Sequence, residues 1–189
     1  MTPVGEMSLF SIDTEKSRFT VRAFASGLLA GLGHNPTLAV RDYSGQINFA
    51  AGSLAGASLV IRAKAESLSV QDAVNDKDRS DIESKMKEEV LEVSRFPEIV
   101  FQSKQVSGGQ LAETLYAVKI EGDIALHGVT RGLAFSAQLV SADDSLRAFG
   151  EFSLKQTDFN IKLVSVAGGT LKVKDELKCS FDIVARKQG

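Results

Sequence analysis

Residues 122–135 read Gly-Asp-Ile-Ala-Leu-His-Gly-Val-Thr-Arg-Gly-Leu-Ala-Phe. Ile124 and Leu126 alternate with polar or small neighbours, His127-Gly128-Val129-Thr130 interrupts, and Leu133, Phe135, Ala137 and Leu139 resume at period two. Successive side chains of a strand point to opposite faces, so this alternation predicts two strands, each with one buried face, joined by a tight corner. The corner carries a glycine and one of only two histidines in the chain.

The same period recurs on both sides. Downstream, Asp143-Asp144 marks a turn, and Leu146, Ala148, Gly150, Phe152 and Leu154 then share one face. Glycine at an inward position predicts a bend or bulge. Near the end of the chain, Leu177, Cys179, Phe181 and Ile183 alternate within residues 171–186, after an irregular stretch at 157–169. Upstream, Phe19, Val21 and Ala23 alternate with Arg18, Thr20 and Arg22. Residues 37–43 and 46–50 read as a hairpin turning at Ser44-Gly45. Leu59, Ile61, Ala63 and Ala65 follow; residues 99–106 form a strand ended by a turn at Gly108-Gly109, and 115–126 a long one.

One segment breaks the pattern. Residues 72–93 lack Gly and Pro and are dense in charge, and Ile82, Met86, Val90 and Val93 fall on one helical face. Ser80 and Glu83 have the spacing of a capping box, and Pro97 stops the helix by biasing Phe96 out of the helical region. Many antiparallel strands, one helix and no repeat or linker predict a single domain over residues 1–189, all-β, built as a barrel or sandwich. Closure removes the sheet edges and favours a barrel of about eight strands with the amphipathic helix packed against it.

Composition narrows the function. Charged residues are 24% and hydrophobic ones 43%, with net charge −2 and no basic cluster, so nucleic acid is not the expected partner. No stretch approaches the ~20 apolar residues of a membrane span. MTPVGEMSLFSID shows neither the basic nor the apolar region of a secretion signal. The expected location is the cytoplasm, or the periplasm for a chain whose leader has been removed. The eleven Phe, against two Tyr and no Trp, suit an apolar interior. The single Cys179, between Leu177 and Phe181, reads as a small buried hydrophobe; a nucleophile or metal ligand would need partners that the flanking sequence lacks.

His34, in the loop Gly31-Leu32-Gly33-His34-Asn35-Pro36, and His127 are the catalytic suspects. Catalysis or metal binding needs an orienting carboxylate, a nucleophile or further ligands within reach. Asp123 lies four residues from His127, about 13 Å along a strand. No orienter at workable spacing is visible, and no catalytic residue, cofactor or metal is assigned. The glycine-rich 27–33 lacks the GxxxxGK[ST] of a phosphate loop. The remaining signal is the inner face. Phe19, Val21, Phe49, Ile61, Phe101, Phe135, Ala148, Gly150, Phe152 and Phe181 are the candidate lining of a lumen, with the small Ala23 and Ala63 among them. A barrel of this size either fills with side chains or holds one small ligand, and the sequence permits both.

Several pieces, in order, carry a resemblance: Phe10-Ser11-Ile12-Asp13; 17–21 (SRFTV); Gly33-His34; 45–49 (GQINF); 96–103 (FPEIVFQS); 122–131, ending LHGVTR; Phe152-Ser153-Leu154; and Asp158-Phe159. With these the chain resembles the bacterial YceI-like, polyisoprenoid-binding family over nearly its full length. The resemblance implies a lipocalin-like antiparallel barrel with a helix packed against it. It implies a long-chain isoprenoid or other amphipathic lipid in the lumen, its head group near one mouth with His34 and His127 as candidate contacts, a non-enzymatic carrier, storage or sequestration role, and a possible homodimer. Burying about 400 Å² of apolar tail contributes ~10 kcal/mol, against an association cost on the order of 4–15 kcal/mol, so a long chain is expected to bind and a short one barely. Two alternatives stay open: an enzyme or cofactor chaperone using His34 or His127, and a filled barrel whose outer surface binds a protein.

Overall fold

The computed structural model describes residues 5–26, 35–169 and 171–189, with the side chains of Val166, Ala167 and Leu171 left aside. His34 therefore lies outside the described residues. The strands are β1 (Ser8–Ile12), β2 (Arg18–Arg22), β3 (Ala25–Ser26), β4 (Thr37–Val40), β5 (Tyr43–Ala50), β6 (Ser53–Lys64), β7 (Leu68–Val70), β8 (Glu98–Ala112), β9 (Leu115–Leu126), β10 (Val129–Ser141), β11 (Ser145–Lys155), β12 (Ser165–Val166), β13 (Leu171–Val173) and β14 (Glu176–Lys187). Among the described residues one α-helix, α1 (Asp76–Lys85), runs on into a π-helical turn, Met86–Val90.

The main sheet runs β1-β5-β6-β8-β9-β10-β11-β14, all antiparallel, and closes because β1 also pairs with β14. That is the expected eight-stranded barrel. Three staves are interrupted. β2 continues the stave of β1 along β14, with Cys179 opposite Val21; β4 lies beside β2 as β5 lies beside β1; and β7 pairs with β4 as β6 pairs with β5. A small second sheet, β12-β13-β3, sits at the same end as these short segments.

Two expected turns are not turns. No hairpin forms at Ser44-Gly45: β4 and β5 are unpaired successive segments, and Gly45 lies inside β5. A Cβ at Gly45 would come within 2.7 Å of the Val60 carbonyl and 2.6 Å of Ile12 Cδ1, so the glycine permits close approach of neighbouring staves. Likewise β8 runs through Gly108-Gly109, with Gly108 at φ +136°, and the chain reverses at Glu113-Thr114. The 122–139 reading holds in detail. Leu126 pairs with Val129 across the two-residue turn His127-Gly128, both at positive φ (+51° and +73°), the geometry that matches hairpin twist.

The helix begins one turn before the expected cap at Ser80. Its N-cap is Asn75, whose side chain accepts from Asp78 N–H at 2.8 Å, and Ser80 lies mid-helix. Glu83 instead reaches β7, accepting from Val70 N–H at 2.8 Å. Arg79 donates to the carbonyls of Val70 and Asp72. Together these hold the first half of the helix on β7. Met86 and Leu91 are the residues of the helical segment that are fully buried. Leu91, off the expected stripe, is carried inward because the π-turn bonds Leu91 N–H to the Met86 carbonyl at 2.8 Å.

Candidate functional site

The barrel interior divides by height. At the end where β5, β9 and β11 meet their hairpins, Phe49 and Tyr116 pack edge-on at 5.4 Å, beside buried Phe10 and Leu146. Tyr116 is 1% exposed, and its hydroxyl accepts from Gly52 N–H at 2.8 Å. That half is filled. A chain of ring contacts follows, from Phe101 to Phe135 (5.4 Å), from Phe135 to Phe152 (5.1 Å) and Phe181 (5.6 Å), and from Phe152 to Phe19 (6.3 Å). The remaining volume is a cavity of about 500 Å³ that reaches Leu126, Leu154 and Leu177 at the far strand ends.

Eight of the ten expected lining residues border it: Phe19, Val21, Ile61, Phe101, Phe135, Ala148, Phe152 and Phe181. Phe49 does not; alternation gave its face correctly but not its height, and it belongs to the filled half. Gly150 does not border it either. A Cβ there would meet the Ser136 carbonyl at 2.6 Å and the Phe181 ring at 2.9 Å, so the glycine admits that ring into the wall. Cys179 borders the cavity, and burial pushes its thiol up to about 12, which leaves it without thiolate character near neutrality.

Polar groups are few around this space among the described residues. Tyr43 contributes its ring, while its buried hydroxyl has no hydrogen-bond partner among the described residues. Burial raises the phenol more than the nearby Ser17 hydroxyl lowers it. Ser17 itself donates to the Asp13 carbonyl at 2.6 Å and accepts from Val184 N–H at 2.9 Å. Gln156, 4% exposed, donates to the Lys174 carbonyl at 2.9 Å. Asp81 and Lys85 of α1 stand at the rim, with Lys85 held by Glu89 at 3.0 Å. Ile82, Met86, Val90 and Leu91 of the helical segment wall this open half, so the helix covers the cavity as well as packing on the barrel.

His127 is absent from the cavity wall, and the expectation that it lacks an orienting partner is overturned. Its Nδ1 lies 3.0 Å from the Phe159 carbonyl and its Nε2 2.8 Å from Glu92 Oε2. Glu92 follows the π-turn, 35 residues away in sequence, which is why spacing could not find it. Phe96 packs against the imidazole at a tilt of 56° with ring centres 4.5 Å apart, and Arg95 covers Phe96 at 5.0 Å. A Cβ at Gly128 would stand 2.6 Å from Phe96. Arg131 donates to the Asp158 carbonyl at 3.0 Å. The sequence pieces FP, LHGVTR and DF thus converge on one corner and tie the helix end to the β9–β10 hairpin. Bonds from Arg95 and then from His127 hold the Glu92 carboxyl below its ordinary range. An imidazole flanked by a carbonyl and a carboxylate has both nitrogens engaged, and none of this corner faces the cavity.

No cluster of three or more His, Cys, Asp or Glu able to hold a metal occurs among the described residues. No helix among them is long and apolar enough to cross a membrane.

A family model described as YceI-like domain matches residues 10–185. A search of curated proteins finds no match. Among solved structures, a polyisoprenoid binding domain from Saccharophagus degradans aligns with TM-score 0.68 at 13% identity, over 97% of this chain and 100% of that one. Burkholderia cenocepacia BcnA aligns with TM-score 0.67 at 14% identity, over 92% and 98%. The Campylobacter jejuni YCEI protein aligns with TM-score 0.59 at 16% identity, over 79% and 84%. At these identities the alignments establish a shared barrel fold.

Proposed function

Since the chain belongs to the YceI-like domain family, we propose that it binds a long-chain isoprenoid or another amphipathic lipid in the open half of its barrel, and that it acts as a carrier, store or sequestering protein rather than as an enzyme. The observation that carries this reading is the cavity of about 500 Å³ with an almost wholly apolar wall. That volume is within the range of small-molecule sites, which run roughly 300–1,000 Å³. An apolar cavity of this size forgoes the packing that a filled core provides, and an apolar guest restores it. The polyisoprenoid binding domain from Saccharophagus degradans shares the fold, which supports an isoprenoid as the first candidate. Asp81 and Lys85, charged residues of the cavity lining, support a polar head group at the rim.

Mass spectrometry of an organic extract of the purified protein tests the reading. A copurifying long-chain amphiphile, displaced by added isoprenoid alcohol, is the expected result. A protein that carries nothing, and takes up no isoprenoid, fatty acid or fatty alcohol at micromolar concentration, would sink it.

A further inference from the structure

Two residues sit in backbone conformations that favour glycine, and their side chains bond to each other. Glu92 ends the helical segment at φ +46°, and His127 turns the β9–β10 hairpin at φ +51°. A left-handed residue at a helix C-terminus is ordinarily glycine, because other L-residues meet their own Cβ there. Neither position needs a side chain to shape the backbone. Each carries one that reaches the other at 2.8 Å, with the histidine side chain 8% exposed. Strain of this kind persists where the surroundings fix it, and it concentrates at clamps and switches.

The clamp is placed at a mechanical end. The first half of the helix is tied to β7 through Arg79 and Glu83. The second half is the π-turn, a geometry frequent at functional sites, and it delivers Met86, Val90 and Leu91 to the cavity wall. Glu92 comes directly after them. Once Glu92 releases His127, what holds the segment 86–96 to the barrel among the described residues is its apolar contacts and the Phe96 ring against the imidazole; its ion pairs to Glu83 and Lys85 lie within the helix itself.

We propose that Glu92 and His127 form a latch that keeps the helical cover closed over the cavity, so that a guest enters and leaves through release of this contact. The latch rests on the cavity being the binding site. It acts on the rate of exchange, because neither residue touches the guest.

The test uses cis-parinaric acid, a fatty acid that fluoresces in apolar surroundings, as the released probe. Glu92→Gly removes the carboxylate and leaves a residue at ease in the left-handed backbone. Arg147→Ala, on the outer wall where Arg147 pairs with Asp182 and lies over Phe149, is the control. Release from Glu92→Gly is expected to be about tenfold faster or more, the factor that corresponds to ~1.4 kcal/mol, at a denaturation midpoint close to that of the parent. Hydrogen exchange on the free protein reads the same motion without a guest. Amides 86–96 should exchange at least about tenfold faster in Glu92→Gly, while those of β9 and β11 are unchanged. Parent-like release together with parent-like exchange overturns the latch. If no protein takes up the probe, the binding reading loses support while exchange alone decides the latch: faster local exchange upholds it, and unchanged exchange overturns it.

Discussion

Ala148 presents one methyl group to the cavity, between Leu139 and Ile183 on the neighbouring strands. A phenyl ring has space to extend inward from there, so Ala148→Phe should fold and compete with any guest. Overpacking a filled core costs about 1–3 kcal/mol; beside a void the cost should fall at or below the low end. The expected outcome is a near-parental denaturation midpoint with a large loss of lipid affinity by fluorescence titration. Parental affinity would mean that the guest lies elsewhere. Glu92 gives a second prediction at this scale, from its lowered carboxyl. Its folded value lies below its unfolded one, so its contribution to stability is fully present above the unfolded value and is lost as pH falls through the folded value. Denaturant midpoints should therefore drop on acidification below about pH 4.5, and more steeply in the parent than in Glu92→Gln. Glu151, Asp175 and Asp182 are lowered by their own partners in both proteins, so the difference between the two curves isolates Glu92. Superimposable curves would show that the contacts of Glu92 to Arg95 and His127 contribute nothing to folding.

The helical segment is where sequence and structure diverge most usefully. Periodicity identified Ile82, Met86, Val90 and Val93 as an inward stripe; the first three wall the cavity, while Val93 packs half-buried against the core without bordering it. It missed Leu91, because a π-turn changes the residue count per turn in a way that no 3.6-residue period anticipates. It misplaced the cap, because Ser80 and Glu83 have capping spacing while Asn75 and Asp78 make the cap and Glu83 bonds to a strand. Met86→Ala should cost about 2 kcal/mol, the low end of the range for buried methionine, since one side of Met86 already faces the cavity. Lys87→Ala, which loses a 3.8 Å pair with Glu83, should change stability by less than about 0.5 kcal/mol. Equal midpoints for the two variants would mean that the segment does not pack as described. Strands were legible for the opposite reason. β9 and β11 alternate without interruption because one face turns inward along their whole length, buried in β9 and half-buried beside the cavity in β11. The glycines misled at 44–45 and 108–109 because close approach between staves needs the same residue as a turn, and only tertiary pairing separates the two meanings.

At the scale of the whole molecule, alternation fixes which residues face inward but not how far along the barrel axis they sit. That is why the lumen could be read as a set of residues and not as a shape. Phe49 and Phe101 obey the same period, yet one packs into the filled half beside Tyr116 and the other walls the void. The division between the two halves depends on which inward residues the pairing of eight staves brings to the same height. It has a consequence for binding. On the proposed reading a guest enters a sleeve with one closed end, so its tail can bury only until the volume of about 500 Å³ is taken up. Within that limit, each added methylene should strengthen binding by ~0.8 kcal/mol, about fourfold in Kd. Beyond it, further carbons remain at the mouth under the helix and add little. A series of straight-chain fatty alcohols, titrated against a fluorescent competitor, should therefore show log Kd falling linearly with chain length and then levelling off. Ala148→Phe should move the break to shorter chains without changing the slope before it. A flat series in the parent protein would remove the cavity as the binding site. A series that keeps strengthening past the filling volume would show that the cover yields and the guest runs on beneath it.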